Sequence, residues 1–250
     1  MGSSRFFPCT PASGPTKVGF FEMALPITIL LVLTVIFNMT AWDVRISSLF
    51  FSPKRGWVGW EHEWRAICCF IYNHGNLPGL VLGVTSGLVV ILSIFWGRFE
   101  RYRRPALFLA LLLALGPGLL VNGLFKDYWG RPRPKEVTIF SGNSKFLRVW
   151  EKGPAGIGQS FPSGHAATAF YIGSPYFILR SRSRRWAYLF LAAGILYGTV
   201  VGIARVAQGG HFPSDILWAW GFVHICGFCL YYALKSIRPN PNIRTTSRQL

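Results

Sequence analysis

The sequence predicts an all-α, polytopic membrane protein, a bundle of six transmembrane helices with its chemistry-bearing residues gathered at one outward-facing end. Three observations lead there. The chain has 250 residues, of which 51% are hydrophobic and only 14% charged, so long stretches carry no charge at all. Six segments are each apolar over the roughly 20 residues that a helix needs to cross a hydrocarbon core of about 30 Å. Arginines cluster in alternate connections between those segments, as the positive-inside rule requires. The net charge of +17 comes from these short clusters and forms no continuous basic face, so no nucleic-acid partner is expected.

Residues 1–22, with Pro8, Pro11 and Pro15, read as an N-terminal tail. The first helix, 23–41, lacks the short apolar region and small-residue cleavage site of a removed signal, so it is read as retained. Trp57, Trp60 and Trp64 recur at helical spacing with Ile67 and Ile71 beside Glu61, Glu63 and Arg65, which predicts an amphipathic helix anchored in the outer interface. The second helix spans 78–96 and the fifth 186–205. They carry the ladders Gly79, Gly83, Gly87 and Gly194, Gly198, Gly202, whose spacing puts each set on one face for close packing inside the bundle. The third helix is placed at 105–123, the fourth at 161–179 and the sixth at 213–234, the last two opening on Pro162 and Pro213, where a first-turn proline is tolerated. Residues 236–250 read as a second tail, leaving one membrane domain over 23–235. Cys226 and Cys229 have redox-dithiol spacing, but inside an apolar helix they read as small core residues, and His224 beside them as a packed helix residue.

Arg98, Arg101, Arg103 and Arg104, then Arg180, Arg182, Arg184 and Arg185, then Lys235 and Arg238 mark cytoplasmic ends and put both termini in the cytoplasm. Residues 124–160 run against this, with Lys126, Arg131, Arg133, Lys135, Lys145, Arg148 and Lys152 on the outward side. They are discounted because several have a chemical reason to be there.

Three polar segments share that outward end. Lys126 and Arg133 lie seven residues apart with Pro132 and Pro134 stiffening the chain, so they can grip one phosphate from two sides. Arg131 is the ambiguous neighbour, and Arg133 is assigned to the site. Pro162-Ser163-Gly164-His165 opens the fourth helix, where Ser163 can cap and the amides of Ser163, Gly164 and His165 can face an anion. Arg205 closes the fifth helix, and His211 precedes Asp215, whose carboxylate can reach back to one ring nitrogen and leave the other basic: a nucleophile and its orienter. Cations, imidazoles and a carboxylate together suit displacement at a phosphoryl group. Three cations would repel a divalent ion from His165, His211 and Asp215, so no metal and no cofactor are expected. A transporter that binds anions without chemistry would place its charges at mid-membrane and show paired repeats, which this chain lacks.

Lys126-x6-Arg133-Pro134, Pro162-Ser163-Gly164-His165 and Ala204-Arg205-x5-His211-x3-Asp215 together resemble the three signature motifs of the type 2 phosphatidic acid phosphatase superfamily. One departure is Ala204, where the family usually has serine, which removes a supporting hydroxyl. The resemblance implies a metal-independent, two-step reaction on a lipid phosphate monoester or diphosphate. In it His211 attacks phosphorus, Asp215 orients it and His165 protonates the leaving oxygen, while Lys126, Arg133, Arg205, Ser163 and Gly164 hold the nonbridging oxygens. It also implies a bacterial inner membrane with the active site on the periplasmic face. The run Asp43-Val-Arg-Ile-Ser-Ser-Leu-Phe-Phe, with the basic loop 135–160, is similar to members that dephosphorylate lipid A. Undecaprenyl diphosphate, phosphatidylglycerophosphate and phosphatidate are the alternative substrates, and phosphoryl transfer to a second lipid the alternative reaction. A soluble haloperoxidase, which shares similar motifs, is excluded by the apolar spans.

Overall fold

The computed structural model of the chain describes residues 17–236. Its helices are α1 (Lys17–Met39), α2 (Trp42–Ser48), α3 (His62–His74), α4 (Leu77–Phe95), α5 (Glu100–Leu113), α6 (Lys126–Tyr128), α7 (Gly164–Phe170), α8 (Pro175–Leu179), α9 (Arg184–Ala207) and α10 (Pro213–Ser236), with a π-helical stretch over Ala114–Phe125. A two-stranded antiparallel hairpin, β1 (Phe51–Ser52) with β2 (Gly56–Trp57), is the only sheet among the described residues. α1 begins inside the segment expected as the N-terminal tail. The remainder of that tail, and the C-terminal tail from residue 237, lie outside the described residues.

Four runs among the described residues are long and apolar enough to cross a membrane: Glu63–Phe95, Gly97–Tyr128, Arg184–Ala207 and Pro213–Lys235. Met23–Met39 with Trp42–Ser48 makes a fifth if the 80° bend between them is counted within one span. At that bend the Thr40 hydroxyl donates to the Ile36 carbonyl and accepts from the Trp42 amide, a side-chain substitute for the helical ladder. α4 and α9 turn Val81, Val84, Ile91, Leu196 and Val200 outward, an apolar surface suited to lipid.

Three expectations are corrected in detail. The fourth helix is not one rod: α7, a 3-10 turn at Tyr171–Gly173 and α8 have 7, 3 and 5 residues. Pro175 has no amide to continue the ladder, and the break is tolerated because the protein surrounds it: Ala166, Ala167, Ala169 and Tyr171 are wholly buried. The interfacial helix is likewise not separate, since α3 runs on into α4 as a single 33-residue helical stretch. Trp57 is not an anchor at all. It is buried against Phe51 and Phe140, and a Cβ on Gly209 (φ +63°) would stand 2.4 Å from its ring. Trp60 and Trp64 are the exposed pair.

The glycine ladders pack within the bundle. A Cβ on Gly194 would meet the Gly173 amide nitrogen at 2.3 Å, one on Gly198 the Phe170 ring at 2.2 Å and one on Gly79 the Thr168 carbonyl at 2.1 Å. Only Gly87 of the six faces open space. α7 is thereby clasped between α4 and α9 at backbone distance, which fixes where its first residues, Gly164 and His165, point.

Candidate active site

Each motif sits where a helix starts or stops, all at one end of the bundle. The opposite ends carry the arginine clusters: Arg184 and Arg205 are the two ends of α9, about 32 Å apart along the axis.

Lys126 does not follow the third helix but belongs to it, because the helical run from Gly97 continues to Tyr128. Pro117 breaks the ordinary ladder, and the chain widens into the π-helical turns of Ala114–Phe125. Asn122 repairs the gap by donating from Nδ2 to the Pro117 carbonyl at 2.7 Å, and its Oδ1 accepts from Lys126 Nζ at 3.4 Å. The same Oδ1 lies 2.4 Å from where a Cβ on Gly164 would be. The glycine of the second motif is therefore the space that Asn122 and Lys126 need.

Ser163 caps α7, its hydroxyl oxygen accepting from the Ala166 amide at 3.4 Å. His165 stacks on Tyr72 of α3 with centroids 5.1 Å apart, and the Arg205 guanidinium lies over the same ring at 4.6 Å. Arg205 is 5% exposed and donates from Nη1 to Gln208 Oε1. Its Nε, like Gln208 Nε2, is buried without a hydrogen-bond partner among the described residues. Buried donors of this kind are costly unless something accepts from them.

His211 departs from the expected arrangement. Its Nδ1 lies 2.6 Å from the Ser160 carbonyl oxygen and 4.0 Å from Asp215 Oδ2, so the carbonyl, and not the carboxylate, is its direct partner. A carbonyl only accepts, so the proton is on Nδ1 and Nε2 is bare. Asp215 acts one step back: its Oδ2 accepts from the Ser160 hydroxyl at 2.6 Å and the Phe212 amide at 2.7 Å, and its Oδ1 from Arg131 Nη1 at 2.5 Å. Burial first, then the charges of Arg205, Arg133 and Lys126, hold the His211 imidazole well below its ordinary pKa of 6.5, against the opposing pull of the Ser160 carbonyl. The same three cations act on His165. Both histidines are thus within electrostatic range of the same three cations.

Arg131, the ambiguous cation, is fully buried and belongs behind the site. It bridges Asp215 and Asp43, donates from Nε to the Leu147 carbonyl and stacks on Phe212. Burial opposes its charge, but Asp215 and Asp43 outweigh that and raise its pKa. The sequence assigns no site role to Tyr72, Asn122, Ser160 or Gln208, and Asp43 enters it only as the first residue of the run 43–51. Asn122, a lone amide in an apolar run, and Gln208, one turn after Arg205, carry a local signal; Tyr72 and Ser160 carry none. Ala204 is buried beside Cys68 and Ala207.

A model of the PAP2 superfamily matches residues 105–239, more than half of the chain. The chain belongs to the PAP2 superfamily. A lipid A 4'-phosphatase of Francisella tularensis subsp. novicida is 36% identical over 150 residues, covering 58% of this chain and 67% of that protein. One from Rhizobium etli is 34% identical over 122 residues, covering 48% of this chain and 46% of its own. Phosphatidylglycerophosphatase B of Bacillus subtilis is 28% identical over 159 residues, with coverage of 62% and 69%. No solved structure matches. Family and relatives make this PAP2 chain a hydrolase of the lipid phosphatase class.

Proposed function

We propose that this PAP2 protein removes a phosphate from lipid A in a bacterial inner membrane, through a phosphohistidine on His211 and without a metal. The observation that carries the mechanism is the bare Nε2 of a buried, neutral His211 within the field of Arg205, Arg133 and Lys126. Nε2 attacks phosphorus, the phosphorus–oxygen bond to the lipid breaks, and His165, whose protonated form the negative charge of the bound phosphate favours against the three cations, gives its proton to the departing oxygen. The proton stays on Nδ1, hydrogen-bonded to the Ser160 carbonyl throughout, and Asp215 holds Ser160. Water, deprotonated by His165, then attacks the phosphohistidine, the nitrogen–phosphorus bond breaks and inorganic phosphate leaves. Lys126, Arg133 and Arg205, with the Ser163 and Gly164 turn, hold the nonbridging oxygens, and Arg205 Nε is a donor already desolvated for that task.

Six crossings fit the described chain when the bent first and broken fourth segments are included. α7 starts at the site and α8 ends at Leu179, shortly before α9 begins at Arg184, which supports a crossing by 164–179. The arginine clusters then face the cytoplasm, both termini with them, and the site faces the periplasm. The lipid A assignment is supported by the two relatives named for it. Phosphate release from lipid A, undecaprenyl diphosphate, phosphatidylglycerophosphate and phosphatidate, in detergent with EDTA and without an acceptor lipid, tests the whole reading. Fastest release from lipid A supports it. Faster release from another lipid reassigns the substrate, dependence on an acceptor lipid makes the protein a phosphotransferase, and loss with EDTA ends the metal-free mechanism.

A further inference from the structure

Asp43 lies in α2, outside the three motifs and outside the region matched to the family, 105–239. It is 1% exposed and fully engaged: Oδ1 accepts from the Ser214 amide at 2.9 Å, and Oδ2 from the Ser214 hydroxyl at 2.6 Å and Arg131 Nη2 at 2.8 Å. Arg131 Nη1 in turn donates to Ser214 Oγ and to Asp215. Each guanidinium nitrogen of Arg131 has an acceptor, and both carboxylates act only as acceptors. The charge count is what matters. Asp215 with Arg131 alone is a neutral pair, which does little for the positive charge that His211 acquires as Nε2 bonds to phosphorus. With Asp43 the three groups carry a net charge of −1, on the Nδ1 side of His211, where Asp215 Oδ2 is 4.0 Å away. A lone pair of opposite charges would also leave Ser214, and the start of α10 with it, less firmly placed.

We infer that Asp43 is a positioning residue for the reaction: it offsets Arg131, so that the Asp43–Arg131–Asp215 group presents one negative charge behind His211, and it pins Ser214 beside Asp215. The inference rests on His211 being the nucleophile. A charge set back by about 10 Å at an effective dielectric constant of about 20 changes a rate by about tenfold.

The test compares purified full-length wild type with Asp43→Asn, Asp43→Glu, Arg131→Gln and the double variant Asp43→Asn/Arg131→Gln. Readouts are kcat, KM and the melting temperature in detergent, with His211→Ala alongside. Asp43→Asn is expected to lose about tenfold in kcat with KM little changed. Asp43→Glu, bulkier but still charged, should keep more of kcat than the isosteric Asn. The double variant returns the group to −1 and should regain kcat over Asp43→Asn, even if it melts lower. A merely structural Asp43 gives the reverse order, with Asn milder than Glu and no regain in the double. That order, an unchanged kcat in Asp43→Asn, or failure of both Asn-bearing variants to fold would overturn the inference. Full activity in His211→Ala would instead overturn the nucleophile assignment beneath it.

Discussion

Gly164→Ala is the substitution for which the structure gives the sharpest number. If Gly164 served only through its backbone amide, alanine would be harmless, since it keeps that amide. The added Cβ, however, would stand 2.4 Å from Asn122 Oδ1, 3.1 Å from its Cγ and 3.1 Å from its Nδ2. Asn122 would have to withdraw by about 1 Å to reach ordinary contact, the kind of overpacking that costs about 1–3 kcal/mol. The move strains the 2.7 Å bond to the Pro117 carbonyl that holds the π-helical turns, and carries Lys126 with it. Misplacing a charge-stabilising group by about 1 Å can cost about 100-fold in rate, so kcat/KM for phosphate release should fall between about 10-fold and 100-fold. The check is a cycle. In an Asn122→Ala background the obstruction is gone, and Gly164→Ala should cost almost nothing further in kcat/KM or melting temperature. Wild-type activity in Gly164→Ala, or an equal loss in both backgrounds, would refute the reasoning.

Other expectations follow from the same geometry. Ser160→Ala removes the bond to Asp215 while keeping the carbonyl under His211, so it should lose about 1.5–3 kcal/mol in denaturation and also lower kcat; an unchanged melting temperature would count against a structured Asp215. Because burial and the cations lower the His211 pKa, the imidazole is already the free base at pH 6.5 and remains so as pH falls further. The acid limb of kcat/KM should therefore lie below 6.5, once corrected for the substrate's own ionisation near about 6, and a limb above 6.5 would contradict it. Gly194→Ala drives a methyl to 2.3 Å from the Gly173 nitrogen and should melt lower by an amount equivalent to about 1–3 kcal/mol, whereas Gly87→Ala meets nothing within 4 Å and should not.

Much of the site was legible because its residues punctuate helices. Pro213 and Ser163 mark helix starts, whereas Pro162, expected in the first turn of a helix over 161–179, stands ahead of the Ser163 cap because α7 begins at Gly164, and a charge such as Arg205 at the end of an apolar run has few structural reasons to be there. What stayed hidden was tertiary. The partner of His211 is a backbone carbonyl 51 residues away, which no side-chain pattern encodes, and Asp215 was assigned that contact because its spacing allowed it. Asp43 and Arg131 pair across 88 residues, so neither the run that opens at Asp43 nor the ambiguity between Arg131 and Arg133 reveals their contact. Hydropathy places the third helix at 105–123 but shows neither its 32-residue extent, Gly97–Tyr128, nor its turn type, so Lys126 falls outside the expected span. Trp57 matched an interfacial spacing, yet its ring fills the space over Gly209, a contact that spacing alone cannot show.

The most direct test is to quench the enzyme during turnover on radiolabelled lipid phosphate and locate the label by base-stable, acid-labile peptide mapping. A phosphoryl group on His211, absent in His211→Ala, is the expected result. Turnover at the full rate with label on no histidine, or with label on His165 alone, would contradict it.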